Sequence, residues 1–174
     1  MLIPTPEQCE QLLAGNNTPE ASIVHSRIVK DVARRIGRDL KWLRDRGPNM
    51  ALITAAALLH DIAKGQDDHA AAGAQIVREA GYEEVAEIVG AHNKLEFSGD
   101  FPVTEKEIVH IADKLVKGDQ MVTVVYMFDH KIEACTDDKL LTKLKQSKEV
   151  ALRIKTSIEQ ETGKNLEELA IAED

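Results

Sequence analysis

Histidine followed directly by aspartate, His60-Asp61, closes a nearly unbroken apolar run from Met50 to Leu59. An ionised carboxylate delivered where a buried helix runs out is costly without a partner, so this pair demands one. Two further polar residues fall on inward faces. His25 shares a stripe with Ile28, Val29 and Val32, and Asp113 lies on a segment whose apolar positions are Ile108, Ile111, Ala112 and Leu115. Taken singly, an inward histidine is more often a satisfied core residue, and Asp113 more often an ion-paired residue at a helix margin. Together, His25, His60, Asp61 and Asp113 supply four nitrogen and oxygen ligands from three helices, the outline of a divalent-metal site. Imidazole with carboxylate suits Mn, Fe, Co, Ni, Zn or Mg, and the absence of thiolate argues against a structural zinc.

The elements that must carry these residues read as helices. Thr5 with Pro6 and Glu7 launches a short helix to about Leu13, stopped at Gly15-Asn16-Asn17. The same start recurs at Thr18-Pro19-Glu20, and apolar residues at spacings of three and four predict a long helix from about Pro19 to Arg46, ended by Gly47-Pro48. The stretch from Asn49 to Ile62 is apolar on nearly every side and predicts a central helix surrounded by others. Helices over His69 to Ala80 and Glu83 to His92 follow, then a polar break from Asn93 to Pro102 expected to run over the mouth of the site. Thr104 with Glu107 is a capping box that starts the helix carrying Asp113. Met121 to Cys135, Asp138 to Thr162 and a short terminal segment through about Ala172 predict the remaining helices.

Composition sets the class. The 174 residues, 43% of them hydrophobic, are enough for one core, and no repeat or linker divides them. Aromatics at 3% favour packed helices over a sandwich or barrel. The expectation is all-α, a single domain over 1–174 with about 6–9 helices, its motif-bearing core at about 20–120 and C-terminal helices at about 121–174. A formal charge of −8 repels nucleic-acid polymers and anionic membrane surfaces, and no local basic patch stands out in the sequence. Cys9 and Cys135 read as free thiols, the amino terminus does not read as a secretory signal, and the longest apolar run is about half of the ~20 residues a membrane span needs. A cytoplasmic protein acting on a small molecule is expected. A homodimer through the helix from Met121 to Cys135 is a further expectation, although such a stripe is more often core packing.

His25, then Leu58-Leu59-His60-Asp61-Ile62-Ala63-Lys64, then Ile111-Ala112-Asp113-Lys114-Leu115-Val116 resembles the HD superfamily of metal-dependent phosphohydrolases, over residues about 20 to 120. Within it the chain looks most like small stand-alone prokaryotic HD-domain proteins. The resemblance implies a helical core, a divalent metal held at His25, His60, Asp61 and Asp113, and hydrolysis of a small phosphoester by metal-activated water. A nucleotide or dinucleoside polyphosphate is the first substrate to try. Asp61 would both ligate and accept the water's proton. Lys64, just past the helix end, would meet a substrate phosphate, although an exposed loop lysine is an equal reading. In dinuclear members two additional histidines between the HD pair and the last Asp hold a second metal, and His69 and His92 occur in that order. Their bland readings are a helix-terminal solvent residue and an imidazolium at a helix C-terminus. His110, one turn before Asp113, is a candidate to orient it, with a plain core or surface histidine the commoner reading. Val125, Tyr126 and Met127 depart from the acidic residues and Arg of close relatives, which removes a natural phosphate clamp. Two other functions remain: a non-catalytic metal- or nucleotide-binding regulatory domain, and a di-iron oxygenase.

Overall fold

A computed structural model describes residues 2–172. Helix α1 (Pro6–Gly15) begins in a reciprocal cap: the Thr5 hydroxyl accepts from the Gln8 amide, and the Gln8 side chain accepts from the Thr5 amide at 2.8 Å. Helix α2 (Glu20–Leu43) does not repeat this device. Pro19 occupies the cap position without a side-chain bond, and the Thr18 hydroxyl instead donates to the Ile62 carbonyl at 2.9 Å, 44 residues away. The helix also stops at Leu43, short of the predicted Arg46. Arg44 turns extended because its guanidinium is used elsewhere, donating to the Glu161 carboxylate at 2.5 and 2.6 Å and to the Val103 carbonyl at 2.8 Å.

Helix α3 (Met50–Leu59) is capped by the Asn49 side chain, and all residues from Leu52 to Leu59 are buried. Each of its Leu and Ile side chains contributes about 1.5–3 kcal/mol of burial, which fixes the helix as the hub of the core. It ends three residues before the predicted Ile62. His60 to Lys64 continue as tight turns, with Ile62 N–H bonded to Leu59 and Lys64 N–H to Asp61. The Thr18 bond pins this turn from outside.

Helices α4 (His69–Glu79) and α5 (Glu83–Ala91) form a closely packed pair. A Cβ at Gly90 would lie 3.2 Å from Ala74 Cβ, and one at Gly73 would lie 3.1 Å from Val89 Cγ1 and 3.2 Å from Ile62 Cγ2. A methyl at either position would be tighter than an ordinary contact and would push its neighbour by a few tenths of an ångström. Helix α6 (Glu105–Lys114) opens with the predicted capping box, Thr104 and Glu107 bonding reciprocally. The following segment was expected to lead straight into a helix at Met121. Instead Val116–Lys117 and Gln120–Met121 form an antiparallel hairpin, β1 and β2, turned by Gly118 at φ +62°. Helix α7 (Val124–Ala134) then starts at the Thr123 cap, and α8 (Asp138–Thr162) and α9 (Leu166–Ile171) complete the bundle.

Nine helices and one small hairpin among the described residues make the fold all-α, as composition and periodicity predict. Among the described residues no helix is long and apolar enough to cross a membrane. Two expectations are corrected. The polar break does not run over the mouth of the site as a whole: Asn93 reaches it, but Gly99 to Val103 line a separate surface with Arg44, Arg46 and Glu161. A basic patch does exist, because α2 brings Arg34, Arg35, Arg38 and Lys41, dispersed among apolar residues in the sequence, around one cavity.

Candidate metal centre

All six residues singled out as ligands converge. His25 comes from the first turns of α2, His60 and Asp61 from the turn that ends α3, His69 from the first position of α4, His92 from the residue after α5, and Asp113 from the last turn of α6. His25 Nε2 lies 3.0 Å and His60 Nε2 3.4 Å from Asp113 Oδ1, while His60 Nε2 is 3.7 Å from Asp61 Oδ2. On the other side of Asp61, Oδ1 lies 3.2 Å from His69 Nε2 and 3.7 Å from His92 Nε2. Ligand atoms of His25, His60 and Asp61 fall within 4.8 Å of one another, and so do those of Asp61, His69 and His92. Asp61 is common to both groups.

Three of the imidazoles are oriented by one device. Nδ1 of His25, His60 and His92 sits 2.9, 2.8 and 2.6 Å from the carbonyls of Gly118, Ala57 and Val89. A carbonyl only accepts, so Nδ1 carries hydrogen in each case and Nε2 is aimed at the cluster, the arrangement of a metal-binding histidine. His60 Nε2 is fully buried and has no hydrogen-bond partner. A buried nitrogen without a bond costs about 1–3 kcal/mol, so its aim toward two carboxylates fits a cation between them. His92 Nε2 and His69 Nε2 face each other at 3.3 Å, and Asn93 Nδ2 lies 3.1 Å from the latter. Two ring nitrogens this close, both beside Asp61 Oδ1, again fit a shared cation. The donor set, four imidazoles and two carboxylates without sulfur, suits borderline divalent ions.

Charge is distributed accordingly. Burial pushes the His92 imidazole down to about 3 and lowers His69, which keeps both neutral and available as ligands near neutral pH. At His60 burial opposes the charged form, but the neighbouring Asp113 and Asp61 carboxylates outweigh it and hold the group above its ordinary value. Burial would raise Asp113, yet Lys114, His25 and His60 together hold it well below the carboxylate range. Asp61 is likewise lowered, its burial outweighed by His60 and Lys64.

A cavity of about 470 Å³ opens above the cluster, lined by His25, Asp61, His69 and Asp113 and rimmed by Lys64, Lys114, Lys117 and Lys131. Lys64 Nζ lies 3.1 Å from Asp61 Oδ2 and Lys114 Nζ 2.7 Å from Asp113 Oδ2, while Lys117 stands over the Tyr126 ring at 5.3 Å. Lys131 was missed by sequence reasoning. It lies one turn after Met127 on the cavity face of α7, so the spacing of four from Met127 was the available signal. Burial first, then Lys114, lowers its ammonium. His110 takes a different place from the one considered for it: Nδ1 bonds the His92 carbonyl at 2.7 Å, anchoring the turn that carries His92 and making no bond to Asp113.

Buried imidazoles and carboxylates gathered at the hub of a helical bundle define a domain with a site able to hold divalent metal. The chain belongs to the HD domain family, whose model matches residues 23–118, more than half of its length, and whose members are generally metal-dependent hydrolases. No curated protein and no solved structure matches the chain.

Proposed function

We propose that the protein is a metal-dependent phosphohydrolase acting on a small phosphoester, a nucleotide or dinucleoside polyphosphate being the substrate class that fits best. The observation that carries the reading is the stacking of two chemistries in one cavity: metal-ligand residues at its base and four lysines at its rim. His25, His60, Asp61 and Asp113 would hold one ion, and Asp61, His69 and His92 a second. When bound, a divalent ion polarises a phosphoryl oxygen and lowers the pKa of water from about 15.7 toward about 7.

The chain's own residues do the rest. Lys131 and Lys117 hold the phosphate charge, Lys131 standing where the residues Val125 to Met127 offer no cation. Lys64, about half exposed and tethered to Asp61, swings between that carboxylate and a substrate phosphate. Asp61 accepts the proton of the attacking water at whichever oxygen faces it. His110 holds the His92 backbone in place.

A second reading, a regulatory domain that binds nucleotide without turnover, draws on Met127 at the cavity wall, which offers no hydrogen bond to phosphate. The di-iron oxygenase reading draws on the pairing of His69 with His92 beside Asp61. Phosphate release from a nucleotide panel with Mn or Co separates these. Turnover abolished by Asp61→Ala, and kcat/KM reduced roughly 10- to 100-fold by Lys131→Ala, supports hydrolysis, at about 1.4 kcal/mol per tenfold. Absence of turnover on every phosphoester by the fully metallated protein sinks it, and oxygen consumption with Fe favours the oxygenase.

A further inference from the structure

The outer face of α2 presents a cavity of about 600 Å³ that shares no lining residue with the metal centre. Asp31, Arg34, Arg35, Arg38, Lys41 and Trp42 recur at spacings of three and four along one side of the helix, and Met50 of α3 closes the wall. At about 1.5 Å of rise per residue, Arg38 lies roughly 20 Å along the axis from His25.

We propose that this cavity is a second ligand site, for a nucleoside polyphosphate, independent of what the metal centre hydrolyses. Three observations carry it. The first is charge. The protein carries −8 overall, yet four of its 22 cationic residues converge here, and the one acid in the lining, Asp31, is paired with Lys30 at 2.8 Å. Arg34 and Lys41 make no ion pair or hydrogen bond among the described residues, and Arg35 commits one nitrogen to the Ala170 carbonyl at 3.0 Å. The uncommitted Arg34 guanidinium and Lys41 ammonium, set among further cations, attract a polyanion, and the planar forks of arginine suit phosphate oxygens.

The second observation is Trp42. It is the only tryptophan in the chain and is 83% exposed at the cavity edge, next to Lys41 and one turn from Arg38. A bare indole beside cations offers a stacking face of a kind worth about 1–3 kcal/mol to a nucleobase. Anion-binding groups alone would fit inorganic phosphate; the ring and Met50 add an apolar surface that phosphate does not use. The third is size, since the cavity falls in the roughly 300–1,000 Å³ range of small-molecule sites. Net negative charge over the rest of the surface opposes a long nucleic acid and leaves the small ligand.

The lone Trp42 is its own reporter. The full-length protein would be titrated with a non-hydrolysable ATP analogue, tripolyphosphate, adenosine and a ten-nucleotide single strand, following tryptophan emission and repeating the titrations by calorimetry. The site predicts saturable quenching by the nucleotide, at least tenfold tighter than by tripolyphosphate or adenosine. Arg34→Ala and Lys41→Ala, both at exposed positions, should each weaken it at least fivefold. Calorimetry should show affinity lost in Trp42→Ala and kept in Trp42→Phe. His92→Ala, in the metal centre, should leave the quenching curve unchanged. The proposal is overturned by absence of saturable quenching, by affinities indifferent to Arg34→Ala and Lys41→Ala, or by a single strand binding more tightly than the nucleotide.

Discussion

Replacing Asp61 by Asn should uncouple the whole metal centre while preserving its shape. Asp61 is the one residue common to both three-residue groups, with Oδ1 turned to His69 and His92 and Oδ2 toward His60. The amide keeps the volume but removes the charge that two groups of imidazoles share. An ion present at a hundredfold its Kd stabilises the folded state by about 2.7 kcal/mol. In a chain of this size that raises Tm by about 5–10 °C. Wild type should show that shift with Mn in differential scanning fluorimetry, and Asp61→Asn should show less than about 2 °C, with a matching fall in metal per chain by elemental analysis. His92→Ala touches one group only, so it should remove one ion and keep part of the shift. Circular dichroism of the metal-free variants checks that the helices persist. An Asp61→Asn protein with the full wild-type shift, or a His92→Ala protein as impaired as Asp61→Asn, would refute the shared-ligand geometry.

Acidification should weaken the metal-free protein, measured by urea unfolding. Burial holds His92 near 3 and His110 near 4, against an ordinary value of 6.5, so between about pH 6.5 and 4 the unfolded chain binds protons that the folded one does not. Stability is therefore present above that window and is lost as pH falls through it, by roughly 1–3 kcal/mol per pH unit for two such groups. His60, raised by its carboxylate neighbours, acts in the opposite sense, its contribution being lost as pH rises through its folded value. A flat or rising profile from pH 6.5 to 4 would contradict the burial of these imidazoles. Cysteine labelling gives an independent check. Burial pushes the Cys9 thiol up to about 12, while Cys135 is partly exposed, so a disulfide-exchange reagent should titrate one thiol in the native protein and two in denaturant. Two fast thiols in the native state would refute the packing of α1.

The cluster was legible in the sequence because each candidate ligand sits where a periodic apolar pattern begins or ends. His60-Asp61 closes the Met50 to Leu59 run, and Asp113 falls on the helix started by the Thr104 and Glu107 box. What stayed hidden depends on partners remote in the chain. Thr18 has the residue type and position of a cap, yet its hydroxyl is taken by Ile62, and the end of α2 is decided by Arg44 reaching Glu161. The β1 and β2 hairpin spans two residues on each side, too short for any alternation to register. Lys131 and the basic face of α2 are surface residues by pattern alone. Only the placement of a cavity beside them distinguishes them from other solvated cations.

The two glycines between α4 and α5 make the second group of candidate ligands a property of helix spacing as much as of residue identity. His69 and His92 meet because Gly73 and Gly90 let their helices close to methyl-contact distance. A chain in which either glycine acquires a branched side chain would keep every imidazole and carboxylate yet lose the second group, since the two Nε2 atoms would part while Asp61 stayed with His60. Ligand inventories would score such a chain as dinuclear. Whether that second group assembles is therefore written partly in residues outside it.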